Sequence, residues 1–249
     1  MVKSNPLLQW PSSADLPDSD DTPVDNELQN LIPNLLLAVL ARIWSERQDW
    51  FFGVDMGIYY QPGKFPQTPL VPDGFLSLGV TRRKSKRGRL SYVLWEEQNI
   101  VPKLVLEVVS QTYGGEYDEK LSKYARLGVL YYVVYKPDYV QRDQHEPFEV
   151  YQLVGERYER LPGEPVWLPE VGLGIGREEG TSGGWQREWL YWYDASGRRY
   201  LTPEECTEQE RQRAEAERQR AEAERQRAEA ERQRAEALAQ RLRELGIEP

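Results

Sequence analysis

The chain has 249 residues, 41 acidic against 32 basic, a formal net charge of −9 and 39% hydrophobic content, which suits one globular domain plus an extension. A single cysteine, Cys206, and a single histidine, His145, exclude an intrachain disulfide and any Cys- or His-built zinc site. Acid–base work is left to carboxylates, Lys, Tyr or metal-bound water.

Residues 1–21 are polar, acidic and rich in Pro and Ser, and read as a flexible lead-in without the basic and apolar regions of a secretory leader. Thr22 followed by Pro23 and Asp25 has the composition of a helix start. Leu28, Leu31, Ile32, Leu35, Leu36, Val39, Leu40 and Ile43 then recur on one helical face, a core-facing stripe. Pro33 inside it predicts a kink or a break into two pieces. From residue 51 onward the pattern turns to strands: VDMGIYY, GFLSLGV, SYVLWEE, LVLEVVS, YYVVYKP, FEVYQLV and RYERLP, with Gly88 in the turn joining the second and third. One helix over about 116–127 interrupts them, ended by Gly128 as a left-handed cap. His145, in QRDQHEPF, reads as a solvated loop residue. A late hairpin is expected around Asp194 to Gly197. The preceding aromatics alternate, with Trp189, Tyr191 and Tyr193 on one face and Leu190 and Trp192 on the other. That pattern favours a strand packed on both faces over a base-stacking platform. Helix, meander and strand–helix–strand together predict an α/β fold, a mixed sheet flanked by helices over residues 22–203.

Residues 204–249 carry four identical copies of ERQRAEA at 210–237. Each copy holds two Glu and two Arg, so the repeats are neutral and the negative charge resides elsewhere. Strong helix formers and recurring Glu–Arg pairs three and four apart predict a helix of about 40 Å. Only its end, with Leu238, Leu242 and Leu245, has an apolar coiled-coil seam. The expectation is a solvated helix whose Leu-bearing end self-associates weakly, a homodimer contact. No stretch of about 18 uncharged apolar residues occurs, so a cytoplasmic protein without a membrane span is expected.

The chemistry resides in VPDGFLSLGV, LVLEVVS and YDEKLSKYARLG. LVLEVVS is an apolar, β-branched run broken by one carboxylate. In a buried strand Glu107 shares a face with Val105 and Val109. An unpaired carboxylate there costs roughly 2–7 kcal/mol, so it needs a partner. A hard cation such as Mg²⁺, which takes oxygen ligands and one or two carboxylates, is one candidate, with Asp73 as its second ligand. On the following helix Tyr117, Leu121, Tyr124 and Gly128 fall on one stripe with Lys120 beside it, while Lys123 lies further out. Two acids and a lysine around a metal suit phosphodiester hydrolysis. A buried Lys–Glu salt bridge plus an ordinary surface Asp fits the same spacing.

Taken in order, Pro72-Asp73, then Glu107-Val-Val-Ser110, then Lys120 with Tyr124 and Gly128, followed by the aromatic strand YYVVYKP, this chain resembles the Uma-two family of restriction-endonuclease-like proteins in the PD-(D/E)XK nuclease superfamily. The likeness spans roughly residues 22 to 201. It implies a Mg²⁺- (or Mn²⁺-) dependent nuclease with Asp73 and Glu107 on the metal and Lys120 assisting the attacking water. The superfamily's Glu-x-Lys would put lysine at 109, where this chain has Val; Lys120 fits a relocation to the next helix. An acid from the first helix often completes such sites, and Glu27 is the nearest match.

Net negative charge opposes a polyanion at long range, but screening over about 8 Å leaves local fields to decide contact. Residues 82–89, RRKSKRGR, hold Arg82, Arg83, Lys84, Lys86, Arg87 and Arg89 between the two proposed ligands. The loop is either a phosphate grip on nucleic acid, DNA above all, or a solvated hairpin tip.

Overall fold

A computed structural model describes residues 27–61, 68–109, 115–137 and 145–244. The chain divides into two compact units, one up to Tyr200 and one from Leu201 onward. The first is a mixed α/β unit. It comprises α1 (Glu27–Ile43), β1 (Trp50–Val54), β2 (Ile58–Tyr59), β3 (Gly74–Leu78), β4 (Tyr92–Val93), β5 (Leu104–Val108), α2 (Glu119–Leu127), β6 (Tyr131–Tyr135), β7 (Phe148–Val154), β8 (Arg157–Arg160), β9 (Val166–Leu168), β10 (Leu173–Ser182) and β11 (Trp185–Tyr193).

A six-stranded sheet in the order β1-β3-β5-β6-β7-β8 forms its centre. Only β5 and β6 run parallel, joined by the crossover through α2; every other neighbour is antiparallel. Both are buried along their whole length, as the apolar run YYVVY and the run LVLEV, broken only by Glu107, lead one to expect. One face packs in a cluster with α1, through Leu28, Ile32, Leu36, Val39 and Leu40. At roughly 1.5–3 kcal/mol for each fully buried aliphatic side chain, this stripe is a main source of cohesion. The opposite face, with Phe75, Val105, Tyr132 and Val134, is covered by Tyr124 and Leu121 of α2.

α1 runs through Pro33 without dividing into two pieces. The ring packs beside Gly74, where an added Cβ would stand 3.1 Å from the proline Cβ, so the glycine lets the helix approach the start of β3. The expected start at Thr22 lies outside the described residues. The first strand begins at Trp50 rather than Val54, and SYVLWEE contributes only Tyr92–Val93 before a 3₁₀ turn at Leu94–Glu96.

A second sheet, β11-β10-β9, packs with the α1 cluster, and the Trp192 indole N–H donates to the Leu36 carbonyl at 3.0 Å. Sequence reading missed β9 and β10. The hairpin containing EWLYWY turns at Gly183–Gly184, both with positive φ, and pairs β11 backwards onto β10. The Asp194–Gly197 turn does form, but only a single bridge, Tyr193 to Arg199, follows it. All five alternating aromatic and leucine side chains of β11 are buried, so they are core.

The second unit carries α3 (Pro203–Glu244), a 42-residue helix with no buried residue. No helix among the described residues is long and apolar enough to cross a membrane.

Candidate active site

Sheet register determines which side chains meet. Gly74 pairs with Leu106, so one step along the antiparallel register Asp73 faces Glu107. Glu107 pairs with Val134, and Val134 with Glu149. Paired residues share a face, so Asp73, Glu107, Val134 and Glu149 form one row across the face that α2 covers. The row lies near the carboxyl ends of the parallel pair, where open α/β sheets place their ligand crevices.

Glu107 is 1% exposed. Its Oε2 accepts from Lys120 Nζ at 2.8 Å and its Oε1 from the Tyr124 hydroxyl at 2.6 Å. Asp73 is also buried; its Oδ2 accepts the Val108 backbone N–H at 2.6 Å and its Oδ1 the Gln29 amide at 3.4 Å. The structure thus brings Asp73, Glu107 and Lys120 together. Lys123 instead pairs with Glu119 at 2.6 Å, on the outer side of α2.

Two groups escaped the sequence reading. Glu116 is buried, with Oε1 3.8 Å from Lys120 Nζ, so the ammonium lies between two carboxylates. Its one visible signal is the spacing of four from Lys120. Gln29, rather than the exposed Glu27, is the α1 side chain that touches Asp73. Nothing in an amphipathic pattern distinguishes these two positions.

Burial pushes the Glu107 carboxyl above the ordinary range, against the opposing charge and hydrogen bond of Lys120 and the hydroxyl of Tyr124; Glu116 pushes it further up. For Lys120, desolvation favours the neutral amine, but the carboxylates of Glu107, Glu116 and Asp73 outweigh it and raise the ammonium's pKa. Burial and the Glu107 charge hold the Tyr124 phenol well above its usual range, so it is a donor at any physiological pH.

The donor set fits a hard divalent cation. Asp73 and Glu107 offer only oxygen, and Mg²⁺ commonly takes one or two carboxylates and fills its remaining positions with water or substrate phosphate. Among the described residues no group of three or more His, Cys, Asp and Glu side chains is arranged to hold a metal by itself.

The basic segment divides. Arg89 is buried against Glu97, Nε to Oε1 at 2.9 Å and Nη2 to Oε2 at 3.1 Å, and lies over the Phe51 ring. Lys84 bridges Glu96 and Glu97, and Arg82 stacks on Trp50 at 3.9 Å. These three hold the segment to the fold, whereas Arg83, Lys86 and Arg87 are exposed. His145 is not simply a solvated loop residue. Its ring stacks on Tyr117 at 3.5 Å and its Nδ1 lies 3.0 Å from the buried Glu149.

Fold and site together define an α/β protein with an acid–acid–lysine centre between α2 and the middle strands of a mixed sheet. Residues 21–178, more than half of the chain, match the Uma2 family, described as "Putative restriction endonuclease". The chain belongs to that family. A solved structure from Anabaena variabilis, titled as "a putative nuclease belonging to DUF820", is similar at 12% identity, covering 59% of this chain and 74% of that one, with a TM-score of 0.40. No curated protein matches the chain in sequence.

Proposed function

We propose that this protein is a metal-dependent endonuclease that hydrolyses phosphodiester bonds in nucleic acid, with DNA as the substrate. The observation that carries the reading is the meeting of two buried carboxylates, Asp73 and Glu107, with Lys120 of α2 inside a member of a restriction-endonuclease family. Asp73 and Glu107 would hold a Mg²⁺ or Mn²⁺ ion, which when bound supplies Lewis-acid polarisation of the phosphate and a more acidic water.

The remaining work falls to the chain itself. Lys120, held by Glu107 and raised in pKa by its carboxylate neighbours, stays cationic at neutral pH and offers its remaining N–H bonds to the attacking water or to a phosphate oxygen. Tyr124 fixes the Glu107 rotamer through its hydroxyl. Gln29 and the Val108 N–H do the same for Asp73. Glu116 holds Lys120 from its other side. Arg83, Lys86 and Arg87 are the members of the basic segment exposed enough to meet phosphates.

A second reading, a non-catalytic nucleic-acid- or protein-binding scaffold, draws on one observation. All four oxygens of Asp73 and Glu107 already accept from protein donors, as in a purely structural ion-pair network. Cleavage of supercoiled plasmid with Mg²⁺ or Mn²⁺ separates the two. Wild type should nick and linearise it, and Glu107→Gln, folded but lacking the charge, should not. A folded wild type that leaves plasmid, RNA and single strands intact would favour the scaffold.

A further inference from the structure

Glu107 must give up a bond before it can hold a cation. Both of its oxygens are engaged at short range, Oε2 by Lys120 Nζ at 2.8 Å and Oε1 by the Tyr124 hydroxyl at 2.6 Å. Asp73 is held more loosely: the Val108 N–H reaches Oδ2 at 2.6 Å, but Gln29 reaches Oδ1 only at 3.4 Å, a weak bond. A divalent cation therefore finds room at Asp73 and competes for an oxygen at Glu107. Tyr124 is 1% exposed and packs against the sheet, whereas the Lys120 side chain is 32% exposed. Lys120 is thus the donor on the open side, and an ammonium and a dication on one oxygen repel each other.

A second acceptor for that ammonium is already in place. Glu116 Oε1 stands 3.8 Å from Lys120 Nζ, and a shift of about 1 Å turns that separation into a charge-assisted hydrogen bond of ordinary length. Glu116 lies four residues before Lys120, in the turn leading into α2, where the Lys120 backbone N–H donates to the Gly115 carbonyl at 3.0 Å. Its own carbonyl accepts the Tyr132 hydroxyl of β6 at 2.7 Å, a buried bond. That bond anchors Glu116 to the sheet independently of Lys120, so its buried carboxylate stays beside the centre when the lysine moves. Charge balances in the second arrangement, Lys120 with Glu116 and a divalent cation with Asp73 and Glu107.

We infer that Glu116 is a positioning residue that takes Lys120 over from Glu107 when a divalent cation binds, so that one exchange of carboxylates opens the metal site and keeps the lysine beside it. This rests on the metal-dependent nuclease reading and deepens it. Glu107 has two partners in turn, the ammonium in the metal-free protein and the cation in the loaded one. Lys120 keeps its charge throughout and is tied to a carboxylate in both states. The second acid lets the exchange proceed without stranding a partly buried cation.

The test is calorimetric titration of the full chain with Mn²⁺ for wild type, Glu116→Gln, Lys120→Met, the double variant and Glu119→Gln. Glu119 pairs with Lys123 on the outer side of α2 and is the control for a lost acid. Glu116→Gln should raise the Mn²⁺ Kd about tenfold, because Lys120 then loses the carboxylate it moves to. Lys120→Met should bind at least as tightly as wild type, since no ammonium has to leave. On that background Glu116→Gln should cost about threefold or less, the effect of its charge at a distance. Glu119→Gln should stay close to wild type. An equal loss from Glu116→Gln with and without Lys120 would overturn the exchange, because Glu116 would then act on the metal directly. Weaker binding in Lys120→Met, or wild-type affinity in folded Glu116→Gln, would overturn it as well. Lys120→Gln supplies the same comparison where Lys120→Met does not fold. Coupling between Glu116 and Lys120 in a protein that cuts no nucleic acid would keep the exchange and refute the nuclease; Mn²⁺-dependent cutting without that coupling would do the reverse.

Discussion

Glu107 is the most heavily buried charge at the centre, and removing Lys120 takes the ammonium from its Oε2 and leaves the Tyr124 hydroxyl on its Oε1. Stripping one partner from a buried ion pair costs about 3–5 kcal/mol. Lys120 is 32% exposed in its side chain, so water can enter the space it leaves. The expected loss for Lys120→Met is accordingly about 2–3 kcal/mol, and about 5–10 °C in Tm for a unit of this size. Glu107→Gln removes the charge that needs a partner, so the double variant should be more stable than Lys120→Met, with a coupling energy of about 2 kcal/mol. The deficit should also depend on pH. In Lys120→Met the folded-state pKa of Glu107 rises further above its unfolded value, so the native state binds more protons between those two values. Stability in that window therefore increases as pH falls, and the deficit shrinks as pH drops from neutral towards the ordinary carboxylate range. Urea unfolding in EDTA, followed by tryptophan fluorescence, measures all of this. Every tryptophan lies before residue 201, so the signal reports the first unit without interference from α3. Lys120→Met within about 0.5 kcal/mol of wild type, or additive effects in the double variant, would refute a tight Glu107–Lys120 pair.

Arg89→Ala should cost about 2–3 kcal/mol in the same assay, because it strips the buried partner from Glu97, 5% exposed, and leaves it only the half-exposed Lys84, whereas Arg87→Ala should stay within about 0.5 kcal/mol. The contrast also separates folding from binding, since Arg87→Ala should weaken DNA affinity and leave the urea midpoint alone. Gly128→Ala should destabilise by about 1 kcal/mol through backbone strain, because Gly128 caps α2 at φ +86° with open space where the methyl would go. Analytical ultracentrifugation of the full chain against one ending near Glu208 should show concentration-dependent association only with the tail; the same oligomeric state for both would remove α3 as a dimer contact.

How much of this was legible depends on whether a feature is local. Glu107 shows itself as one acid in a β-branched run, and Lys120 as the lysine beside an apolar helical stripe; periods of two and 3.6 suffice for both. Tyr124 and the Gly128 cap follow from the same helix. β10 was missed because LGIGREEGTS has three glycines and three charges in ten residues, which no strand propensity favours. Tertiary packing explains its composition: a Cβ at Gly180 would collide with the Tyr191 hydroxyl, so glycine is the residue that lets the two strands close. The basic segment misled for a related reason. Six cations in eight residues look alike in sequence, and Glu97, which buries one of them, lies in a segment expected to be strand and observed to bend away as a 3₁₀ turn.

The acidic row itself is a matter of register between strands, which composition cannot encode. Val109 occupies the position where a lysine was expected two residues after Glu107, and in sequence that is simply a gap in a motif. In the sheet, the neighbouring strand is parallel and in step, so Lys136 stands beside that valine, 27 positions later. Lys120 meets Glu107 from above, by way of α2, while Lys136 flanks it within the sheet. A chain reader sees one lysine relocated; the fold brings another, from the end of β6, to the neighbouring register position. The lysine in contact with Glu107 should govern kcat and the stability of the centre. Wild-type kcat in a folded Lys120→Met protein would contradict that role.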